Sequence, residues 1–165
     1  MDKTEARIRL AIDAMGSDLG PSEVLEGVAQ AIDRSPWNTE FVLFGQEEII
    51  EPLITSHSIL SRSKVEFVHS PEVVGMEEKP IAGIKGKKKS SMSLALQALK
   101  EGEADALLSC GNTGCLMAGG AIKLRTLDGV ERPALCTIWP GRERYFTLLD
   151  AGANPHAKPF HIAQS

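Results

Sequence analysis

Four glycine-containing turns carry most of the residues that could do chemistry. They are Asp13-Ala14-Met15-Gly16-Ser17-Asp18-Leu19-Gly20-Pro21, Lys85-Gly86-Lys87-Lys88-Lys89-Ser90-Ser91, Ser109-Cys110-Gly111-Asn112-Thr113-Gly114 and Asp150-Ala151-Gly152-Ala153-Asn154. Each is expected where an apolar strand stops. Strand ends of an open α/β sheet share one edge, and ligands bind there. Glycine, asparagine and lysine at such an edge suit an anion, because backbone N–H groups approach closely and helix N-termini add partial positive charge. The turns read as a cradle for a negatively charged ligand at one crevice.

Gly111-Asn112-Thr113-Gly114 follows a strand and opens a helix. Its N–H groups could hold phosphate or a developing oxyanion, with Asn112 donating a further bond. A tight turn with Asn112 or Thr113 as helix cap accounts for the same residues. Lys85, Lys87, Lys88 and Lys89 place four ammonium groups before Ser90 and Ser91. Such a cluster suits a substrate phosphate or an acidic partner, or is a solvated lysine loop, as most charge runs are. Asp13 and Asp18 flank Gly16 and could orient substrate, but two carboxylates are too few to assign a metal. Cys110 and Cys115 would need a base to serve as nucleophiles, and the nearest histidines in sequence are His69 and His156; a buried, inert cysteine is the commoner case.

The elements that position these turns alternate. Ile8–Ala14, Glu40–Phe44, Lys64–His69 and Ala104–Cys110 read as strands. Helices are expected from Pro21 to Ser35, near Glu47–Thr55, from Ser90 or Ser91 to Gly102, and over Thr113–Arg125. In the last of these, Gly114, Ala118 and Ala121 form one smooth face that would let the helix sit close to the sheet. Glu72–Lys89 reads as irregular, broken by Pro80, Gly83 and Gly86. Pro133–Trp139 and Tyr145–Asp150 read as a hairpin, and Pro155–Ser165 starts like one more helix. Alternating strands and helices predict a mostly parallel sheet covered on both faces, a three-layer α/β/α domain over residues 1–165.

The chain has 165 residues, 42% of them hydrophobic and 5% aromatic, so Leu, Ile, Val and Ala must build the core. The net charge of −4 argues against a nucleic-acid binder. Three cysteines without paired zinc spacing fit reduced thiols in a cytoplasmic protein. The polar opening Met1-Asp2-Lys3-Thr4-Glu5 does not read as a signal peptide, and no apolar run is long enough to span a membrane.

Several motifs together resemble one family, the PlsX phosphate acyltransferases of bacterial phospholipid synthesis. They are Ile12-Asp13-Ala14-Met15-Gly16 with Asp18 and Gly20-Pro21; Val73-Val74-Gly75-Met76 with Lys79-Pro80; the lysine turn into Ser90-Ser91-Met92; Gly111-Asn112-Thr113-Gly114 with Leu116-Met117-Ala118; Arg132-Pro133-Ala134; and Leu149-Asp150 with Gly152-Ala153-Asn154. They occur in family order over nearly the whole chain. The resemblance implies transfer of a fatty acyl group from acyl carrier protein to inorganic phosphate, with no metal or other cofactor. It implies an isocitrate dehydrogenase-like, phosphotransacetylase-like fold, usually homodimeric. It leaves room for peripheral association with a membrane.

Carried onto this sequence, the resemblance makes Asn112, Thr113, Lys87 and Lys88 the catalytic candidates. Asp13, Gly16, Ser90, Ser91, Gly111, Gly114 and Asn154 become candidates for substrate binding. Ser17 stands where the family usually has a second glycine, Cys110 and Cys115 replace small residues, and Pro155 and His156 differ from the usual sequence after the Gly-Ala-Asn turn. Family members are about twice as long, so the chain is expected to be the N-terminal portion of a truncated family fold. Two other readings stand beside the carrier-dependent enzyme: a non-catalytic remnant that binds carrier protein or a full-length partner, and a short-chain enzyme using coenzyme A.

Overall fold

A strand buried on both faces is an unbroken apolar run, and Leu10-Ala11-Ile12 and Phe41-Val42-Leu43-Phe44 are two such runs. In the computed structural model, which describes residues 7–35, 38–63, 65–150 and 158–164, they become adjacent parallel strands. The chain divides into two compact units, Met1–Lys123 and Leu124–Ser165.

The first unit runs β1 (Ile8–Asp13), α1 (Pro21–Arg34), β2 (Thr39–Gly45), α2 (Glu47–Ser56), β3 (Val65–His69), α3 (Pro80–Gly86), α4 (Ser91–Glu101), β4 (Ala106–Ser109) and α5 (Thr113–Lys123). Its sheet is wholly parallel, in the order β3-β2-β1-β4. Successive side chains leave opposite faces of a strand. Ile12, Phe41 and Leu43 pack with Leu25, Val28 and Ala29 of α1 and Ile50 of α2. Ala11, Val42 and Phe44 pack on the other face with Ala95 and Ala98 of α4. The α/β/α layering expected from sequence is present.

Local chemistry sets the helix ends. Pro21 occupies the first turn of α1, where its missing N–H costs nothing. Ser90 caps α4 by accepting the Ser93 N–H at 3.2 Å, and Gly102 ends it at φ 74°, a left-handed backbone that glycine adopts freely.

Two expectations change. The segment before α4 is not wholly irregular: Pro80 starts α3, a helix short enough to end at Gly86. Gly83 inside it is a packing glycine, since a Cβ there would stand 3.0 Å from Cys115 Sγ and 3.2 Å from Glu78 Oε2. The lysine turn therefore follows a helix rather than a strand. The buried stripe of α5 is Cys115 and Gly119, while Gly114, Ala118 and Ala121 are half-buried. It faces α3 and α4, where a Cβ on Gly119 would collide with Leu96 and stand 3.3 Å from Ile84.

The second unit holds the hairpin of β5 (Cys136–Pro140) and β6 (Tyr145–Leu149), antiparallel with Cys136 opposite Leu149, and the short α6 (Pro159–Gln164). Gln164 ties α6 to its own unit, accepting from Glu131 N at 3.1 Å and donating to Gly129 O at 2.7 Å. Among the described residues no helix is long and apolar enough to cross a membrane.

Candidate functional site

The strand order 3-2-1-4 reverses direction between β1 and β4, and crevices form outside the carboxyl ends at such a switch. Asp13 ends β1 and Ser109 ends β4, paired in register. The Ser109 hydroxyl donates to Asp13 Oδ2 at 2.8 Å and accepts the Gly111 N–H at 3.1 Å. Asp13 is buried, and its Oδ1 has no hydrogen-bond partner among the described residues.

The two glycine turns meet here. A Cβ on Gly111 would stand 3.0 Å from the Cα of Gly16. A Cβ on Gly16 would collide with Asp13 Oδ2 and lie 2.8 Å from Ser109 Oγ. Gly16 is therefore required for space. Ser17 keeps a negative φ, its hydroxyl accepts the Leu19 N–H at 3.2 Å, and the left-handed residue of this turn is Gly20, at φ 88°. The serine that departs from the family pattern fits without strain.

From sequence, Asn112 is a candidate donor to the anion. In the fold its amide is already engaged: Nδ2 lies 3.2 Å from Gly75 O, 2.8 Å from Met76 O and 3.0 Å from Glu78 O. Its Oδ1 accepts the Cys115 N–H at 3.0 Å, so Asn112 is also the N-terminal cap of α5. Both amide hydrogens face carbonyls, which makes Asn112 a positioning residue for the turn. The donors at the helix mouth are the N–H groups of Thr113 and Gly114, which no intrahelical acceptor can reach. Thr113 is exposed there.

Lys87 is likewise engaged. Its Nζ donates to Val73 O at 2.7 Å and to Glu78 Oε1, and the same oxygen accepts the Gly75 N–H at 2.8 Å. The Lys87 ammonium, and next the Gly75 N–H, hold the Glu78 carboxyl below the usual carboxylate range. Ser90 and Ser91 are buried. The Ser90 hydroxyl donates to Lys87 O at 2.8 Å, and the Ser91 N–H donates to Glu72 O at 3.2 Å. Lys88 and Lys89 remain exposed, and the Lys89 N–H is held by Glu72 Oε2 at 2.8 Å. The segment from Glu72 to Glu78 thus ties the lysine turn to the α5 turn.

Gly114 meets Pro80, whose Cγ lies 2.8 Å from where a Cβ on Gly114 would stand. The structure brings Asp13, Gly16, Gly111, Asn112, Thr113 and Gly114 together and links Lys87, Ser90 and Ser91 to them through the 72–78 segment. Asn154 lies outside the described residues. Sequence reasoning gave Ser109, Glu78 and Pro80 no role in the site. The apolar strand leading into Gly111 was the available signal for Ser109, and the Lys79-Pro80 motif the signal for the other two.

Burial pushes the Cys115 thiol up, and the nearby Glu78 charge adds to the effect. It is a packed side chain and a poor thiolate. Cys110 is exposed, but the near histidine in sequence is committed elsewhere, since His69 Nδ1 accepts the Glu47 N–H at 3.2 Å. His156 lies outside the described residues. Among the described residues no cluster of three or more His, Cys, Asp or Glu could hold a metal.

A family model described as "Fatty acid synthesis protein" matches residues 8–165. The chain belongs to this family. It is the PlsX family that the motifs resemble, and its proteins named phosphate acyltransferase are close relatives. That of Levilactobacillus brevis is 40% identical over 161 residues, covering 95% of this chain and 45% of the relative. That of Azorhizobium caulinodans is 46% identical over 150 residues, covering 90% of this chain and 42% of the relative. That of Latilactobacillus sakei is 42% identical over 160 residues, with 95% and 45% covered. The chain spans a little under half the length of these family members.

Proposed function

We propose that the chain transfers a fatty acyl group from acyl carrier protein to inorganic phosphate, giving acyl-phosphate for phospholipid synthesis. The observation that supports this most is the α5 turn. Gly111–Gly114 opens a helix at the β1/β4 switch, against Gly16 and tied through the 72–78 segment to the lysine turn, in a family whose members are named phosphate acyltransferases.

Phosphate is itself the nucleophile in this reaction, so no activated serine or cysteine is required. A phosphate oxygen attacks the thioester carbonyl, the new C–O bond forms and the C–S bond breaks. The proton of hydrogen phosphate ends on the departing thiolate. The protein must hold the dianion against the carbonyl, exclude water and stabilise the tetrahedral oxyanion. The N–H groups of Thr113 and Gly114 supply donors at the positive end of α5. Lys88 supplies mobile positive charge for the phosphate. Asn112 and Lys87 position this machinery through the 75–78 segment, and Asp13 and Ser109 support the floor of the turn. The homodimer and the cytoplasmic setting belong to the same proposal.

The test is turnover of a long-chain acyl carrier protein by this chain, with acyl-phosphate trapped by hydroxylamine. Phosphate-dependent hydroxamate formation is the expected result. A well-folded chain that binds carrier protein without turnover would move the assignment to a binding role.

A further inference from the structure

The outward face of α3 lies beside the α5 turn and carries an unpartnered apolar surface. α3 buries Gly83 and Ile84, leaving Ile81, Ala82 and Lys85 exposed, with Ile81 at 60%. With Lys79 and Pro80 they line a shallow, almost wholly apolar hollow. Its rim is cationic. Lys79 and Lys85 form part of the wall, and Lys88 and Lys89 stand exposed on the turn that follows.

The carboxylates near this rim are mostly committed. Glu78 holds Lys87 and the Gly75 N–H, and Glu72 holds the Lys89 N–H. Among the described residues, Glu77 is the neighbouring acid left exposed without a hydrogen bond or ion pair. The rim therefore has a positive excess, although the chain as a whole carries −4. An apolar recess ringed by ammonium groups complements a surface with the opposite design: an apolar side chain projecting between carboxylates, as on an acidic amphipathic helix.

The position of the hollow gives it a use. Pro80 forms one wall and also packs against Gly114, at the mouth of α5. A partner seated on α3 stands next to the N–H donors of Thr113 and Gly114.

We propose that the α3 face, with Ile81 and Ala82 as its apolar floor and Lys79 and Lys85 as its rim, docks an acidic, helix-bearing protein that delivers the acyl donor to the α5 turn. This rests on the reading of the chain as a carrier-dependent acyltransferase.

The experiment titrates a long-chain acyl carrier protein into the chain by calorimetry, using wild type, Ile81→Ser, the double variant Lys79→Glu/Lys85→Glu, and Arg62→Glu as an exposed-charge control. Circular dichroism checks each fold. Ile81→Ser and the double variant are each expected to weaken binding tenfold or more, with Arg62→Glu unchanged and wild-type binding falling as salt rises. If wild type binds and both α3 variants bind equally well, the docking surface is overturned while the carrier-dependent reading stands. If wild type ignores carrier protein yet forms acyl-phosphate from an acyl-coenzyme A, docking and carrier dependence fall together and acyl transfer survives. Anionic phospholipid vesicles are run in parallel. Vesicle binding lost in the α3 variants, with no carrier binding, would assign the face to a membrane and overturn the proposal.

Discussion

Asn112 Nδ2 and the carbonyl oxygen of Glu78 lie 3.0 Å apart, joining the first turn of α5 to the segment that enters α3. Gly75 O and Met76 O receive the same amide, so one side chain holds three carbonyls of a loop more than thirty residues away in sequence. The α5 turn and the 75–78 segment are one structural piece. Whatever the turn binds, its geometry depends on this amide.

Asn112→Ala removes a helix cap and leaves three carbonyls short of their donor, so a loss of about 3 kcal/mol is expected from the cap and the unmet acceptors together. Asn112→Asp separates the two contributions. Aspartate caps a helix as well as asparagine does, but it donates nothing and would set its charge against carbonyl oxygens. Aspartate should therefore be no better than alanine in urea denaturation. A nearly neutral Asn112→Asp would show that capping is the whole role.

Glu78 gives the fold a pH dependence whose sign can be worked out. Its carboxyl is held below the usual range, first by Lys87 and then by the Gly75 N–H. In the window between that lowered value and the ordinary glutamate value, the unfolded chain binds more protons than the folded chain, so stability rises with pH. The contribution is complete above the ordinary value and is lost as pH falls through the lowered one. Glu26, lowered by Gln30 and His57, behaves in the same direction, so the assignment needs a difference. Glu78→Gln should flatten the acid limb of a stability–pH curve more than Glu23→Gln does, since Glu23 has no comparable partner among the described residues. Equal acid limbs would remove Glu78 from the account.

Adjacent glycines of α5 should respond oppositely to alanine. A Cβ on Gly120 meets nothing within 4 Å, whereas one on Gly119 collides with Leu96 and crowds Ile84. Gly120→Ala should stabilise by about 0.5–1 kcal/mol, the helix-propensity difference. At Gly119 the same gain is offset by about 1–3 kcal/mol of overpacking. Thermal unfolding of the two variants checks the order, and Gly119→Ala above Gly120→Ala would show that α5 does not pack on α4 this closely.

The parts of the fold that rest on local physics were legible in the sequence. Apolar runs marked β1, β2 and β4, Pro21 opened α1, Ser90 or Ser91 was the expected cap of α4, and Gly111–Gly114 stood between a strand and a helix. What was not legible depends on residues distant in sequence. Gly83 reads as a helix breaker, yet its requirement comes from Cys115 and Glu78 pressing against it in space. Asn112 reads as an anion donor or a helix cap and Lys87 as an anion ligand or part of a solvated loop, and no sequence pattern reveals that carbonyls of Gly75, Met76, Glu78 and Val73 already hold them. Ser109 becomes visible only once β4 is registered against β1 and sets its hydroxyl on Asp13.

The cysteines offer a readout of α5 packing that needs no activity. Cys110 and Cys136 are exposed, and Cys115 is fully buried between α3 and α5 with its thiol pushed up by burial and by Glu78. Alkylation proceeds through the thiolate of an accessible sulfur, so iodoacetamide on the native chain at neutral pH should label two thiols quickly, and the third only after denaturant is added. Cys115 would be reached through opening of the contact between α5 and α3, so its slow labelling reports how often that contact breaks. Asn112→Ala, which cuts the tie between the two elements, should speed Cys115 labelling by about tenfold for each 1.4 kcal/mol lost from that opening, while Cys136 labelling stays constant. Mass spectrometry of the labelled peptides separates the three sites. Fast native labelling of Cys115 in the wild type would mean that the α3–α5 contact is open in solution and that the site built across it does not hold.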